Sequence, residues 1–120
     1  MSLQHKMEQM PGYLAARFTG AGVPEEAWRQ FELIAENCKR TSNNKLLIDT
    51  TGFDAKVSVV DRFFLGTSLR IFAGRRIKVA FVCRPEQIDP ERFGRLVAHN
   101  RGVTAEPFTD FRAAEEWLLK

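Results

Sequence analysis

One segment of this 120-residue chain, Lys45 to Gly52, constrains its fold more than any other. Its apolar run, Leu46 to Ile48, leads directly into the polar loop Asp49-Thr50-Thr51-Gly52-Phe53-Asp54. Ser58 then opens a long apolar helix, predicted from Val59 to about Ala73. A buried strand that enters a helix through such a loop is the unit of α/β proteins, whose ligand sites gather at the carboxyl ends of strands. The segment therefore predicts an α/β fold and a binding edge after Asp49.

The other elements follow from periodicity and from helix-end signals. Alternating apolar residues on both sides of a Pro11-Gly12 turn predict an amino-terminal β-hairpin. The predicted order is β-β-α-β-α-β-α-β-α in one domain, residues 1–120, with a mixed, mostly parallel sheet and about four packed helices. Besides the hairpin and the segment above, the predicted elements are a helix from Pro24 to Arg40, a buried strand from Ile77 to Cys83, a helix from Asp89 to Gly102, a strand over 104–108 and a last helix capped by Asp110.

Composition narrows the class of protein. A hydrophobic fraction of 44% is too high for disorder, and Cys38 and Cys83 are expected as buried, reduced thiols. The net charge of +3 comes with basic residues concentrated in the second half, but no aromatic interleaving or known motif predicts a nucleic-acid partner. No segment has the length of a membrane span and no signal-peptide pattern opens the chain, so we expect a cytoplasmic protein.

Catalytic and metal-binding patterns are missing from the sequence. The two histidines, His5 and His99, cannot be argued into a pair with any cysteine, and no cluster has the spacing of metal ligands. The glycine-rich phosphate motifs are absent as well. We therefore predict a non-enzymatic protein with no catalytic residues, no metal and no cofactor.

The loop after Asp49 has two interpretations. Free backbone amides near the following helix could hold an anion, and Thr50, Thr51 or Ser58 could accept a phosphoryl group. The simpler interpretation is a turn followed by a helix cap, in which Ser58 and Asp61 have capping-box spacing. The sequence alone does not separate a binding loop from such a turn.

The predicted helix at 59–73 carries two apolar stripes on opposite sides. A surface helix needs only one such stripe, so the second is either buried by neighbouring helices or contacts a partner or an apolar ligand. Burial is the simpler account. The second stripe still provides candidates for a homodimer contact or a lipid-like pocket, and it consists of Leu65, Leu69 and Phe72.

The chain resembles the STAS-like family in three features. These are the element order, the strand-loop-helix from Leu46 to Ala73 and the closing sequence Phe108-Thr109-Asp110-Phe111-Arg112-Ala113-Ala114-Glu115-Glu116-Trp117-Leu118. The nearest branch is that of stage II sporulation protein AA-like proteins, and the resemblance spans nearly the whole chain. It implies a regulatory interaction module. Members of the wider family include anti-sigma-factor antagonists, and some bind nucleotides or apolar ligands.

The resemblance also implies a phosphorylation site, but this chain departs from the pattern. In the antagonists a serine at the start of the second helix, usually after an Asp, is phosphorylated by a partner kinase. The matching stretch here is Val59-Val60-Asp61-Arg62-Phe63, so Arg62 stands at the serine position and Ser58 precedes the Asp. The departure argues against a copied switch and leaves Ser58 and Thr51 as candidate displaced sites.

Two functions remain open from the sequence. The first is a regulatory module that binds a protein partner, or a second copy of itself, through residues 49–58 and the exposed side of the helix at 59–73. The second is a carrier of a small apolar or anionic ligand, held between that helix and the sheet. The candidate binding residues are Asp49, Thr50, Thr51, Ser58, Asp61, Arg62, Leu65, Leu69 and Phe72.

Overall fold

A five-stranded mixed sheet organises the part of the chain that the structure describes, residues 3–22, 24–54, 72, 76–85 and 104–120 of a computed structural model. The strands lie in the order β1-β2-β3-β4-β5, with β1 and β2 antiparallel and every other neighbouring pair parallel. The predicted mixed, mostly parallel sheet with a hairpin is confirmed. The elements are β1 Gln4–Met10, β2 Tyr13–Ala21, α1 Pro24–Arg40, β3 Lys45–Asp54, β4 Lys78–Val82, β5 Thr104–Phe108 and α2 Phe111–Leu119.

The hairpin forms at the predicted turn. Pro11 and Gly12 connect β1 to β2, and Gly12 has a φ of 86°, a left-handed conformation that glycine adopts without steric cost. Pro11 occupies the position before Gly12, where the fixed φ of a proline suits such a turn. The two residues thereby fix the register in which Met10 faces Tyr13.

Side chains alternate along the strands and supply two cores, one on each face of the sheet. The first core lies between the sheet and α1, and the second between the sheet and α2. Strand residues in the first core include Leu14, Ala16, Phe18, Leu46, Ile48 and Val79, packed against Phe31, Ile34, Ala35 and Cys38 of α1. The second core contains Tyr13, Ala15, Leu47, Ala80 and Val82, packed against Ala114 and Leu118 of α2.

Charge favours both ends of α1, and a capping side chain favours the start of α2. Helix α1 has Glu25 and Glu26 in its first turn and basic residues in its last turn, so both ends complement the helix dipole. Helix α2 is capped by Asp110, whose Oδ2 accepts a hydrogen bond from the Ala113 amide at 3.2 Å. Cys38 and Cys83 are buried free thiols, as the sequence predicts.

Two of the four predicted helices fall on ranges that the structure does not describe. The predicted helix at 59–73 lies outside the described residues except for Phe72, which is helical, and the predicted helix at 89–102 lies outside them throughout. The candidate residues Ser58, Asp61, Arg62, Leu65 and Leu69 are therefore also outside the described part of the chain.

Candidate functional site

The candidate site lies where β3 and β4 end, and we call residues 49–54 together with 82–84 the carboxyl rim. The sequence predicts a strand that stops at Asp49 and a loop over 49–54, and this prediction is wrong. Strand β3 continues to Asp54, because β2 is long enough to pair with it as far as Ala21. Strand β4, in contrast, ends at Val82, opposite Asp49. The rim is therefore a strand extension that projects beyond its neighbour β4.

A β-bulge interrupts β3 at the start of this extension. Arg17 faces Asp49 while Thr19 faces Gly52, so one more residue lies on β3 than on β2 between these pairs. Asp49 Oδ1 accepts hydrogen bonds from the Thr51 amide at 2.9 Å and from Thr51 Oγ1 at 2.6 Å. Asp49 and Thr51 thus make the local hydrogen bonds that a turn would have, but they make them within a bulged strand.

The bulge also sets which side chain of the extension faces the core. Upstream of it, the even-numbered Leu46 and Ile48 face the first core, whereas downstream the odd-numbered Phe53 does so and is only 7% exposed. Phe53 lies opposite Gly20 of β2. The extra residue therefore reverses the alternation and allows an apolar side chain to anchor the projecting end of β3.

Close packing of the extension on β2 depends on Gly52. A Cβ atom at this position would lie 2.8 Å from the Phe18 carbonyl oxygen and 3.2 Å from Thr19 Cγ2. The carbonyl oxygen of Phe18 is a backbone atom, so it cannot move away by a side-chain rotation. Gly52 is thus required for the approach of the two strands, and this explains the glycine that made the segment resemble a turn in the sequence.

Thr50 and Cys83 connect the extension to the end of β4. Thr50 Oγ1 donates a hydrogen bond to the Val82 carbonyl oxygen at 3.3 Å. The Cys83 amide donates to Phe108 O at 2.8 Å, which links the rim to β5. Burial raises the pKa of the Cys83 thiol; a hydrogen bond with Thr50 opposes this effect and the Asp49 charge adds to it. The thiol therefore lacks the depressed pKa of a catalytic or redox-active cysteine.

Arg84 is a rim residue that the sequence analysis did not single out. Its Nη2 donates to the Phe53 carbonyl oxygen at 3.1 Å, and the residue is half-buried. The guanidinium bridges the gap that opens where β4 stops and β3 continues. The signal available in the sequence was its position directly after the apolar run that ends at Cys83, which places a cation at the carboxyl end of a central strand.

The three described candidates at the rim differ in accessibility. Thr51 is exposed, whereas Asp49 and Thr50 are half-buried and their side chains are hydrogen-bonded within the rim. Arg84 adds a cationic group nearby. The structure thus brings Asp49, Thr50 and Thr51 together and presents Thr51 to solvent, an arrangement suited to polar contacts with another molecule.

For Phe72, the structure agrees with the simpler interpretation of the second stripe, which is burial within the domain. Its side chain is fully buried in the first core, with its ring centroid 5.6 Å from that of Phe31 and the two planes inclined at 55°. A helical wheel does not show which neighbours cover a stripe, and α1 covers this residue. Phe72 is therefore a core residue, whereas Leu65 and Leu69 lie outside the described residues.

Two further tests apply to the described ranges. No three or more His, Cys, Asp or Glu residues there come together in a way that could hold a metal ion. No helix within those ranges combines the length and apolar character that a bilayer crossing needs.

Comparison with known proteins gives the fold. No protein-family model and no curated protein sequence matches the chain. A crystal structure of an anti-sigma factor antagonist from Mycobacterium paratuberculosis matches with a TM-score of 0.63 at 15% identity, covering 99% of this chain and 96% of that one. A structure of an uncharacterized protein from the DUF3478 family with a SpoIIAA-like fold, from Shewanella loihica, matches with a TM-score of 0.56 at 22% identity, covering 97% of this chain and 93% of that one.

Proposed function

We propose, from the premise that this chain has the SpoIIAA-like fold of the STAS-like family, that it is a non-enzymatic regulatory module which works by binding another protein at the carboxyl rim. The observation that carries the proposal is the match to an anti-sigma factor antagonist over nearly the full length of both chains. The name of that protein denotes an action on another protein. We extend the same kind of action, without its particular partner, to this chain, treated as one domain over residues 1–120.

The chemistry of the rim supports binding over catalysis. The hydroxyl of Thr50 donates to a main-chain carbonyl, which cannot act as a general base, and that of Thr51 donates to the Asp49 carboxylate as part of the local hydrogen bonding of the bulge. The Cys83 thiol is buried and its pKa is raised. Exposed Thr51 and the adjoining polar groups can form hydrogen bonds to a partner.

Thr51 is also the described candidate for regulation by phosphorylation. A phosphate on its Oγ1 would replace the donor to Asp49 with a group of about two negative charges, directly beside that carboxylate. Repulsion would break the local contact and alter the shape and charge of the rim, while Arg84 offers a cation nearby. Ser58, the other candidate, lies outside the described residues, as do the partner-contact candidates Asp61 and Arg62.

The alternative to the regulatory module is a carrier of a small apolar or anionic ligand, bound beside the helix at 59–73. Phe72, one of the three residues assigned to that pocket, is packed against Phe31 in the first core, which favours the regulatory module. Native mass spectrometry of protein purified from cells separates the two functions: a stoichiometric lipid supports the carrier, and bare protein opposes it. We retain a cytoplasmic location, and a homodimer contact at Leu65 and Leu69, as parts of the proposal.

Site-specific photo-crosslinking tests where the partner binds. A photoreactive residue is placed at Thr51 in one variant and at Lys39 in a matched control, because Lys39 is also exposed but lies at the carboxyl end of α1, which leads into the amino end of β3. After irradiation in cells, we expect Thr51 to crosslink one discrete protein and Lys39 not to do so. Purified partner should then bind the wild type and lose affinity for Thr51→Arg. Crosslinks from Lys39 alone, or unchanged affinity of Thr51→Arg, would contradict the proposed site.

A further inference from the structure

Strand β1 forms one edge of the described sheet, and its outer side faces no other described strand. Every second residue of an edge strand directs its main-chain N–H and C=O away from the sheet, which makes the edge a template for a further strand. The opposite edge is less suited to this role, since the five-residue β5 contains Pro107, which has no N–H to donate. The seven-residue β1 contains no proline.

We infer that β1 is a self-recognition surface, on which two copies of this chain pair antiparallel about a twofold axis through Met7 and join their sheets into one. The strand runs from Gln4 to Met10, so Met7 is its middle residue. Antiparallel pairing about the middle residue aligns the two strands over their whole length. The inference does not depend on the proposed partner-binding rim, and it competes with the homodimer contact proposed at Leu65 and Leu69.

The charges on β1 are complementary in this register. Pairing about Met7 places Lys6 of each copy directly opposite Glu8 of the other, so one dimer contains two such opposite-charge pairs. A register centred on Lys6 would place two lysines opposite each other, and one centred on Glu8 would place two glutamates opposite each other. A twofold interface must be complementary to itself, and among these centres Met7 meets that requirement.

The main-chain pattern selects the same register. Residues that flank a two-residue hairpin turn form a hydrogen-bonded pair, so Met10 and Tyr13 direct their amides towards each other. Counting back from Met10 in steps of two, Glu8 and Lys6 direct their N–H and C=O towards β2 in the same way. Met7 lies between them and therefore directs its own N–H and C=O to the open edge. A hydrogen-bonded pair of Met7 with Met7 of the second copy can therefore form at the axis, and Lys6 and Glu8 meet in the adjacent, non-hydrogen-bonded pairs, where side chains approach more closely.

The charges within one copy also favour a second strand. Lys6 lies directly opposite Arg17 of β2, a like-charge pair that is unfavourable on a sheet surface. Glu8 lies 3.9 Å from Arg17, and both side chains are at least half exposed, so that ion pair compensates only weakly. Glu8 of a second copy would bring a carboxylate to the uncompensated side of Lys6. On the other face of the strand, half-buried Met7 would meet its own counterpart and lose contact with water.

Charge reversal with rescue tests the inference. Sedimentation equilibrium measures the monomer–dimer constant of the wild type, of Lys6→Glu and of Glu8→Lys. Each single variant makes both cross-strand pairs like-charged, so we expect its dissociation constant to rise about tenfold or more. The combined variant with both changes restores two opposite-charge pairs and should dimerise again. An equimolar mixture of the two single variants should form a heterodimer for the same reason.

Two variants on α1 provide matched controls. Lys39→Glu and Glu32→Lys make the same changes in net charge at exposed positions away from β1, and neither should alter the dimer. Circular dichroism checks that each variant is folded, and the heterodimer formed by mixing shows directly that the single variants retain a competent strand. A wild type that stays monomeric, a lack of rescue by the combined variant, or a dimer that Leu69→Asp abolishes and Lys6→Glu leaves intact would each overturn the inference.

Discussion

The phenol of Tyr13 donates a 2.6 Å hydrogen bond to Oε2 of Glu115 and so connects the first residue of β2 to the closing helix α2 across 102 positions of the chain. Tyr13 is fully buried in the second core. Tyr13→Phe removes the donor and leaves the ring in place. Because hydrogen bonds to charged acceptors are stronger than neutral ones, we expect a loss of about 1–3 kcal/mol in the free energy of unfolding, measured by urea denaturation. Glu115→Gln, which keeps an acceptor, should lose less.

The same pair predicts how stability depends on pH. Burial, the hydrogen bond to Glu115 and the charge of that carboxylate all raise the pKa of Tyr13 above its ordinary value of 10.0. Above that value the unfolded chain loses the phenolic proton while the folded chain keeps it. The contribution of Tyr13 is therefore fully present below about pH 10 and decreases as the pH rises further. Tyr13→Phe should flatten the alkaline decline in the free energy of unfolding, and an equally steep decline in the variant would contradict the assignment.

Gly52→Ala tests the contact between the strand extension and β2. The added methyl group would lie 2.8 Å from the Phe18 carbonyl oxygen, so the strands must separate. We expect a loss of about 1–3 kcal/mol in urea denaturation. Gly22→Ala is the control, because its methyl group would meet only the movable carboxylate of Glu26 and should cost little. Equal stabilities of the two variants would show that the extension does not pack as described.

Phe72→Ala separates a core residue from a partner contact. The side chain is fully buried against Phe31, and large-to-small changes at such positions cost about 3–5 kcal/mol. Phe31→Ala should produce a loss of similar size, since both rings belong to the first core. If Phe72→Ala instead reduced association and left the denaturation midpoint unchanged, the residue would belong to the surface stripe.

Asp110→Ala tests the cap of α2. Loss of the acceptor for the Ala113 amide should reduce the free energy of unfolding by about 1 kcal/mol. Asp110→Ser keeps a capping oxygen and should retain most of that stability. Thermal denaturation followed by circular dichroism compares the two variants, and equal midpoints for alanine and wild type would show that the cap contributes nothing.

Local signals in the sequence predicted much of the fold correctly. Alternation around Pro11-Gly12 gave the hairpin, and charged helix ends together with Asp110 gave α1 and α2. The apolar run from Ile77 gave a central strand. Each of these signals lies within the element that it predicts, which is why the sequence alone was sufficient for them.

The errors occurred where distant contacts decide the structure. Thr50, Thr51 and Gly52 are typical turn residues, yet pairing with β2 up to Ala21 keeps them in a strand. The sequence also left two interpretations open for Phe72, because its burial depends on Phe31, which lies 41 positions away in the printed sequence. The sequence did not predict Arg84 as a site residue, because a single cation after a strand is not a recognisable local motif. Pairing partners and ring contacts of this kind are not encoded in any short window.

The bulge at Thr50 and Thr51 limits how this part of the chain can vary in length. Deletion of either threonine would remove the extra residue and leave Phe53 opposite Gly20 and facing the first core, because the pairs on both sides of the bulge would keep their partners. Loss of both threonines would instead shift the pairing by one residue and turn Phe53 away from the first core. Related chains that keep this rim should therefore tolerate the loss of one residue here and reject the loss of two.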